Sequence, residues 1–283
     1  MSDTETRVWL ITGCSSGFGR ALARHVLASG ERLVATARRL EDLEEFSNQD
    51  PALCRCMELD VNFPAQIQKV VPEAAQAFGH LDVIVNNAGY GVVGALEELS
   101  AAQIAANFTT NFFGPIEVIR AALPFLKARG AGHLVNISAA AAISNYPGFS
   151  IYGATKCALE GASEALEAEL KPFGIRVTIV QPGPFRTEFI GRSLEPAAHL
   201  RQEYAPSSGK FARLLQSMDG KQPGDPARAA EAIFKAVHSP TPPLRLVLGK
   251  YAHDKVRQKL AAGLAELEKW EETGLPTDLP RGS

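Results

Sequence analysis

Val8-Trp9-Leu10-Ile11-Thr12-Gly13-Cys14-Ser15-Ser16-Gly17-Phe18-Gly19 sets four apolar residues ahead of a loop with three glycines, and a helical stretch over 18–29 follows. Four apolar residues in a row, without polar alternation, suit a strand covered on both faces, as in a parallel sheet flanked by helices. Outward from this unit the rhythm repeats. Further strands read at 33–36, 56–59, 81–85, 133–137, 175–180 and 244–248, seven with the first. Helical stretches fall at 40–46, 64–78, 101–127, 151–171 and 226–237. Asp225 before Pro226 supplies a capping carboxylate and a proline at the first helical position. Residues 182–225 are rich in Gly, Pro and Ser and lack a clear period; a loop of that length is usually functional or mobile. In the tail, near 250–283, Val256, Leu260, Leu264 and Leu267 stand at helical spacing, a face suited to packing on the body or on a neighbour. Strand–helix alternation without linker or internal repeat predicts one doubly wound α/β domain over residues 1–283, a seven-stranded parallel sheet with helices on both faces.

Of 283 residues, 46% are hydrophobic and 21% charged, which excludes wholesale disorder. Twenty-nine basic and thirty-one acidic side chains leave a net charge of -2, so nothing points to a nucleic acid or an anionic membrane as partner. Four cysteines (Cys14, Cys54, Cys56, Cys157) are too few for a disulfide framework, and Cys54-x-Cys56 lacks a second Cys/His pair at zinc spacing. The six histidines are scattered, and no metal site is expected. No apolar run approaches the ~18 residues that span a bilayer. The opening Met1-Ser2-Asp3-Thr4-Glu5-Thr6 is polar and acidic, unlike a signal peptide. The expectation is a soluble cytoplasmic protein with reduced thiols.

The glycine loop follows the first strand and opens the first helix. Gly13, Gly17 and Gly19 let the backbone turn tightly and approach a pyrophosphate, while the helix N-terminus offers free N–H groups and a positive dipole end. Any tight turn can use glycine; the place of this one, at the first strand–helix junction, is what suggests a dinucleotide and a Rossmann-type sheet. The second strand ends Ala35-Thr36-Ala37-Arg38-Arg39. Ala37 stands where an NAD-binding fold commonly has a carboxylate for the ribose 2′-hydroxyl, and two guanidinium groups follow. Arginine binds a 2′-phosphate that a carboxylate would repel, so the reading favours NADP(H) over NAD(H), with Arg38 the principal contact, Arg39 beside it and Ser15 a helper. The bland alternative is two solvated arginines.

Tyr152 and Lys156 are spaced i, i+4 and share a helix face, about one turn or ~5.4 Å apart. A free tyrosine has a pKa of about 10, and a fixed neighbouring positive charge lowers it. Ser138, at a strand end, offers a hydroxyl to a reacting carbonyl oxygen. Pro115 has no N–H, so it leaves the Asn111 carbonyl without its i+4 partner and kinks the helix there. That carbonyl either holds a water linking Lys156 to solvent or is simply solvated.

With Asp60-Val61, Asn86-Asn87-Ala88-Gly89 and Pro182-Gly183 through Thr187, these motifs stand in one order. Over residues 7–250 or so the chain resembles a short-chain dehydrogenase/reductase of the compact, non-extended type. The glycine spacing separates it from the extended, epimerase-like branch. Thr36-Ala37-Arg38-Arg39, Asn87-Ala88-Gly89-Tyr90-Gly91, the run from Pro172 to Thr178 and the tail resemble a bacterial branch similar to hydroxysteroid and retinol dehydrogenases. The resemblance implies a cofactor held by Gly13, Ser15, Ser16, Gly17, Phe18 and Gly19, by Asp60 and Val61 at the adenine, and by Asn87, Ala88 and Gly89 after the fourth strand. It adds Pro182, Gly183, Phe185 and Thr187 to the cofactor-binding residues, with Thr187 on the carboxamide. Tyr152 is then general acid for ketone reduction and general base for alcohol oxidation, and Ser138 polarises the substrate oxygen. Lys156 holds the nicotinamide ribose and depresses the tyrosine pKa, Asn111 carries the proton relay, and hydride passes directly between nicotinamide and carbon.

Residues 139–149 and a substrate loop near 184–225 supply Ala139, Ala140, Ala141, Ala142, Ile143, Tyr146, Phe149, Phe185, Phe189 and Ile190, with little fixed charge. They suit a small hydrophobic ketone, aldehyde or alcohol, although several of the aromatics fit a core equally well. Ala154, Cys157, Ala158, Gly161, Ala162 and Ala165 let another helix approach closely, and the resemblance implies a homodimer or homotetramer. The leading reading is a carbonyl reductase, reversible as an alcohol dehydrogenase. The alternatives are a non-catalytic NADP(H)-sensing regulatory protein, a same-fold NAD-dependent dehydrogenase, and a same-fold enzyme acting on enoyl or sugar-nucleotide substrates.

Overall fold

In β1 (Val8–Ile11), Val8 and Leu10 pack into one core cluster, Trp9 and Ile11 into another, and all four are buried. Alternate side chains of a strand point to opposite faces, so a strand apolar at every position must be covered on both. The computed structural model describes residues 6–279. Met1 to Glu5 of the polar opening and the end of the tail, Pro280 to Ser283, lie outside the described residues.

After β1 come α1 (Gly17–Ala28), β2 (Arg32–Ala37), β3 (Cys54–Glu58), α2 (Pro64–Phe78) and β4 (Val83–Asn86). The second half carries α3 (Ala101–Phe108), α4 (Gly114–Arg129), β5 (Gly132–Ile137), α5 (Ser150–Leu170) and β6 (Ile175–Pro182). It closes with α6 (Ser208–Ser217), α7 (Pro226–Val237), β7 (Arg245–Leu248) and α8 (Lys250–Lys269). The seven strands pair in the order β3-β2-β1-β4-β5-β6-β7, all parallel. Chain order reverses between β1 and β4, the crevice in which open parallel sheets receive ligands. One core cluster lies on the side of α1 and α7 and centres on Trp9, whose ring stacks on Phe234 at 5.7 Å. The other lies between the sheet and α2 and α4. As expected, Asp225 caps α7, its carboxylate accepting the Ala227 N–H at 2.8 Å.

Three elements differ from the sequence reading. The helix expected over 101–127 is two helices joined by a π turn, Thr109–Phe113, in which the Gly114 N–H bonds the Thr109 carbonyl five residues back. The proline thus widens the turn around Asn111 instead of merely bending it. The loop expected over 182–225 is not structureless. It contains α6, and Leu194–Pro196 pairs in parallel with Gly91–Val93. The apolar spacing of Phe211, Ala212 and Leu215 is helical, but Ser207, Ser208 and Gly209 before it hide the helix in a polar stretch. The tail forms α8, yet its stripe does not pack on the body: Leu260, Leu264 and Leu267 are exposed.

Candidate active site

The glycine loop is fastened before it can hold anything. The Asn87 side-chain amide donates to the Thr12 and Gly13 carbonyls, both at 2.9 Å. The Thr12 hydroxyl accepts the Asn87 and Ala88 N–H groups at 3.0 and 3.1 Å. These bonds tie the end of β1 to the end of β4 at the switch point. Asn87 acts here on the loop itself, a role the sequence reading did not give it. Gly13 and Gly17 have φ of +72° and +56°, in the left-handed region that glycine tolerates. Gly19 has a different reason: a Cβ there would overlap the Gly13 carbonyl oxygen and the Asn87 amide, so it makes room for the loop's own fastening. The Ser16 side chain makes no capping bond to α1 and leaves the first helical N–H groups to other acceptors.

Ala37 is buried and Arg38 exposed at the end of β2. Arg39 pairs with Asp42 at 2.9 Å, and Arg192 reaches the same carboxylate at 3.5 Å. Arg38 has no hydrogen-bond or ion-pair partner among the described residues. Together the three arginines and Asp42 line a cleft of about 320 Å³. Arg192 was not legible from sequence, because the turn Phe189–Arg192 carries it across from a distant loop.

Phe18 and Phe185 lie at 5.1 Å, and Thr187 stands 3.6 Å from where a Gly17 Cβ would be, so the segment after β6 closes over the glycine loop. Pro182 ends β6 and pairs with Leu248, and the Gly183 N–H donates to the Leu248 carbonyl at 3.1 Å. Asp60 accepts the Asn62 N–H at 2.9 Å, and Val61 is buried against Gly114.

Ser138, Tyr152, Lys156 and Asn111 are all buried. The Lys156 ammonium donates to the Ile137 carbonyl at 2.9 Å. The Asn111 side chain donates to the Tyr90 carbonyl at 2.8 Å and to the Thr155 hydroxyl at 3.2 Å, and it accepts the Tyr90 N–H at 3.0 Å. A Cβ on Gly89 would lie 2.9 Å from Asn111 Oδ1 and 3.5 Å from Lys156 Nζ, so both side chains converge on one glycine. The sequence reading of Asn111 concerned its carbonyl; the structure shows its side chain binding α5 and the segment after β4.

Two expectations need correction. Burial pushes the Tyr152 phenol above its ordinary range, and no positive charge offsets it. Its ring lies between Phe149 at 5.0 Å and Phe189 at 5.7 Å, while Lys156 is turned to Ile137. A phenol already acidified by its neighbour is therefore not what this geometry presents. The Ser138 hydroxyl donates to Glu160 Oε1 at 2.5 Å, so it turns lone pairs, not its proton, toward other groups.

Glu160 is the residue that sequence reasoning missed. It is buried, accepts also from Gln181 Nε2 at 2.8 Å, and lies 3.6 Å from Arg245. Its spacing, one turn beyond Lys156, was the available signal. Desolvation lowers the Lys156 pKa to about 8, and the negative charge of Glu160 works against that fall.

Tyr152 belongs to an apolar cluster. Phe211 of α6 stacks on Tyr146 at 5.0 Å and meets Phe149 edge-on at 4.9 Å. Phe149 is itself core, as the bland reading had it. Glu98 holds this loop down, its buried carboxylate accepting the Arg201 N–H at 2.8 Å and the Ala95 N–H at 2.7 Å. Among the described residues, no helix is long and apolar enough to cross a membrane.

A glycine loop fastened at the switch point of a seven-stranded parallel sheet, with Asn111 and Lys156 converging on Gly89, accords with the family the sequence resembles, the short-chain dehydrogenases. The chain belongs to that family, whose sequence pattern, described as short chain dehydrogenase, matches residues 7–197. It is similar to a short-chain dehydrogenase from Streptomyces avermitilis of known structure, at 42% identity and a TM-score of 0.91, over 97% of this chain and all of the other. A short chain dehydrogenase/reductase from Burkholderia phymatum, solved in complex with NAD, is 25% identical with a TM-score of 0.78 over 99% of each chain. Human retinol dehydrogenase 8 is 35% identical over 84% of this chain and 80% of its own, in keeping with the retinol dehydrogenase-like branch.

Two outcomes follow for the site. Gly19→Ala forces the loop apart and destabilises the fold by about 2 kcal/mol, the scale of overpacking in a close-packed site, as measured by urea unfolding. It also weakens nucleotide binding in titration calorimetry. In Glu160→Gln the Gln181 amide can turn over, because its Oε1 has no hydrogen-bond partner among the described residues, so the packing survives. Lys156 then loses the charge that holds its pKa up, and the alkaline limb of the pH–rate profile moves to lower pH. An unmoved limb would show that Glu160 does not act on Lys156.

Proposed function

We propose that the chain is an NADP(H)-dependent oxidoreductase that interconverts a hydrophobic ketone or aldehyde and its alcohol, with Tyr152 as general acid and base. The observation that carries this reading is the convergence of Asn111 and Lys156 on Gly89, beside a glycine loop that the chain's own hydrogen bonds hold open.

The residues fit a dinucleotide. The loop at Gly13 and Gly17 has the left-handed backbone of a phosphate cradle, and the α1 N-terminus leaves its N–H groups available. When bound, the nicotinamide supplies or accepts the hydride. Everything else falls to the chain. Burial keeps the Tyr152 proton in place at neutral pH, so the phenol gives it up only as negative charge builds on a substrate oxygen. In the reverse direction it receives the proton of an alcohol. Lys156, one turn away, would steady the phenolate by turning its ammonium from the Ile137 carbonyl toward it, and Asn111 fixes the wall behind it. Ser138, with its proton directed at Glu160, is arranged to accept from a substrate hydroxyl; to donate to a carbonyl oxygen it must rotate.

The unpartnered Arg38 supports NADP(H) over NAD(H). Arg39 is already compensated by Asp42, so Arg38 is the guanidinium left for a 2′-phosphate. The apolar surroundings of Tyr152 support a substrate without charge, and the human relative is named for retinol, an apolar alcohol.

Tyr152→Phe removes the proton carrier at little cost in packing. Turnover of a panel of apolar ketones and alcohols, followed at the nicotinamide absorbance band, falls to background while NADPH still binds in calorimetry. Retained turnover would displace Tyr152 from this role; a wild-type protein that binds nucleotide but turns over nothing in the panel would favour the sensor. Arg38→Glu weakens NADPH by roughly a hundredfold, the loss of a charge-assisted pair plus a new repulsion, and leaves NADH nearly unchanged. Equal loss of both nucleotides would remove the basis for the preference.

A further inference from the structure

α8 departs from the body after its first turns. Ala252 is buried and the Lys255 ammonium sits 5.7 Å above the Tyr146 ring, which fixes the helix's direction. Beyond that, Leu260, Leu264, Leu267 and Trp270 are 65%, 57%, 69% and 59% exposed and lie along one side. Four large apolar side chains in a row on a free helix mark a surface that something covers.

The charges on the same helix say what covers it. Lys250, Lys255, Arg257 and Lys259 against one acid, Asp254, which pairs with Lys250, make its N-terminal half net basic; Glu266 and Glu268 with one base, Lys269, in its last turn, and Glu271 and Glu272 directly after, make its end net acidic. This opposes the helix's own dipole, which favours acids at the N-terminus and bases at the C-terminus. The pattern therefore weakens the helix standing alone. It becomes favourable beside a helix running the other way, where basic half meets acidic half and the dipoles are opposed. The same sequence in a second copy supplies that helix.

We propose that α8 pairs antiparallel with α8 of a second copy about a two-fold axis near Ala261 and Ala262. In the register centred there, Val256 lies opposite Leu267 of the second copy, His253 opposite Trp270, and Leu260 opposite Gly263. Gly263 has nothing within 4 Å of an added Cβ, so the Leu260 side chain has room to enter. Lys259 then stands beside Glu266 of the second copy, twice by symmetry. Such an interface is isologous, each patch meeting itself. An anionic bilayer fits less well, since Glu266, Glu268, Glu271 and Glu272 flank the apolar stripe. A single helix of about 30 Å buries less than a standard interface, so the association depends on concentration.

The test is sedimentation velocity of the full chain across a wide concentration range. The wild type associates as concentration rises, and Leu260→Glu, an exposed position that leaves the fold intact by circular dichroism, loses that step. Lys259→Glu and Glu266→Lys each weaken it by roughly tenfold, by turning attraction into repulsion at both symmetric contacts. Mixing these two variants one to one, or reversing both charges in one chain, restores it. Absence of association in the wild type, or an assembly that Leu260→Glu leaves unchanged, overturns the proposal. So does failure of the mixture to recover, which excludes the antiparallel register. Flotation with phosphatidylserine-containing vesicles that Leu260→Glu abolishes would make a membrane the occupant instead. None of these readouts depends on turnover, so the outcome is separable from that of the proposed reaction.

Discussion

A lysine whose ammonium is taken out of water is the constraint around which the site is built. Lys156 is 5% exposed, and desolvation draws its pKa down from 10.5 to about 8. Left alone, such a group would tend to lose its proton and with it any use as a fixed positive charge. The Ile137 carbonyl answers part of this through a hydrogen bond, and Glu160 answers part through its charge. Glu160 is buried in turn and needs partners of its own, which Ser138, Gln181 and Arg245 provide. A chain of compensation thus runs from the end of β5 through α5 to β6 and β7. It also sets the direction of the Ser138 proton, so Lys156 and Ser138 are linked through one side chain, Glu160.

The glycine loop illustrates why parts of the structure were legible in sequence. Backbone conformation at Gly13 and Gly17 is a local matter, decided by what φ values those residues permit, and the apolar run of β1 is decided by its own side chains. Both could be read without knowing the rest of the chain. The strands followed for the same reason, with ends shifted by one or two residues where a polar residue still pairs, as Arg32 does with Val8. Asn87 was legible as a member of a motif but not as the clamp on Thr12 and Gly13, because that contact spans some seventy positions and appears only once β1 and β4 are neighbours.

Glu160, Arg192 and α6 were hidden by the same separation. A carboxylate one turn beyond Lys156 reads as surface on a helix whose other side is small residues; its burial depends on β6 and β7 lying above it. Arg192 joins Arg38 and Arg39 only because the segment after β6 folds back over the end of β2. The phenol shows a subtler gap. The i, i+4 spacing placed Tyr152 and Lys156 on one face correctly, but spacing says nothing about the medium between them. Phe149 and Phe189 pack on the Tyr152 ring and the Lys156 ammonium is bonded to the Ile137 carbonyl, so burial alone sets the direction of the phenol's shift.

That apolar packing bears on how substrate reaches the site. Tyr146, Phe149 and Phe211 interlock, and the loop carrying Phe211 is held to the body through the buried carboxylate of Glu98. Under the proposed reaction, a molecule approaching Tyr152 would exchange contacts with these rings, and an apolar one would return what it displaces. A charged or heavily hydroxylated molecule would lose hydration against the apolar and ring side chains that pack with Tyr152. On that reading, selection against polar substrates would come from the same burial that raises the phenol's affinity for its proton. Removing one of these rings would let water nearer to Tyr152 and relieve the burial that raises its proton affinity, so the packing and the proton affinity of this phenol are set together.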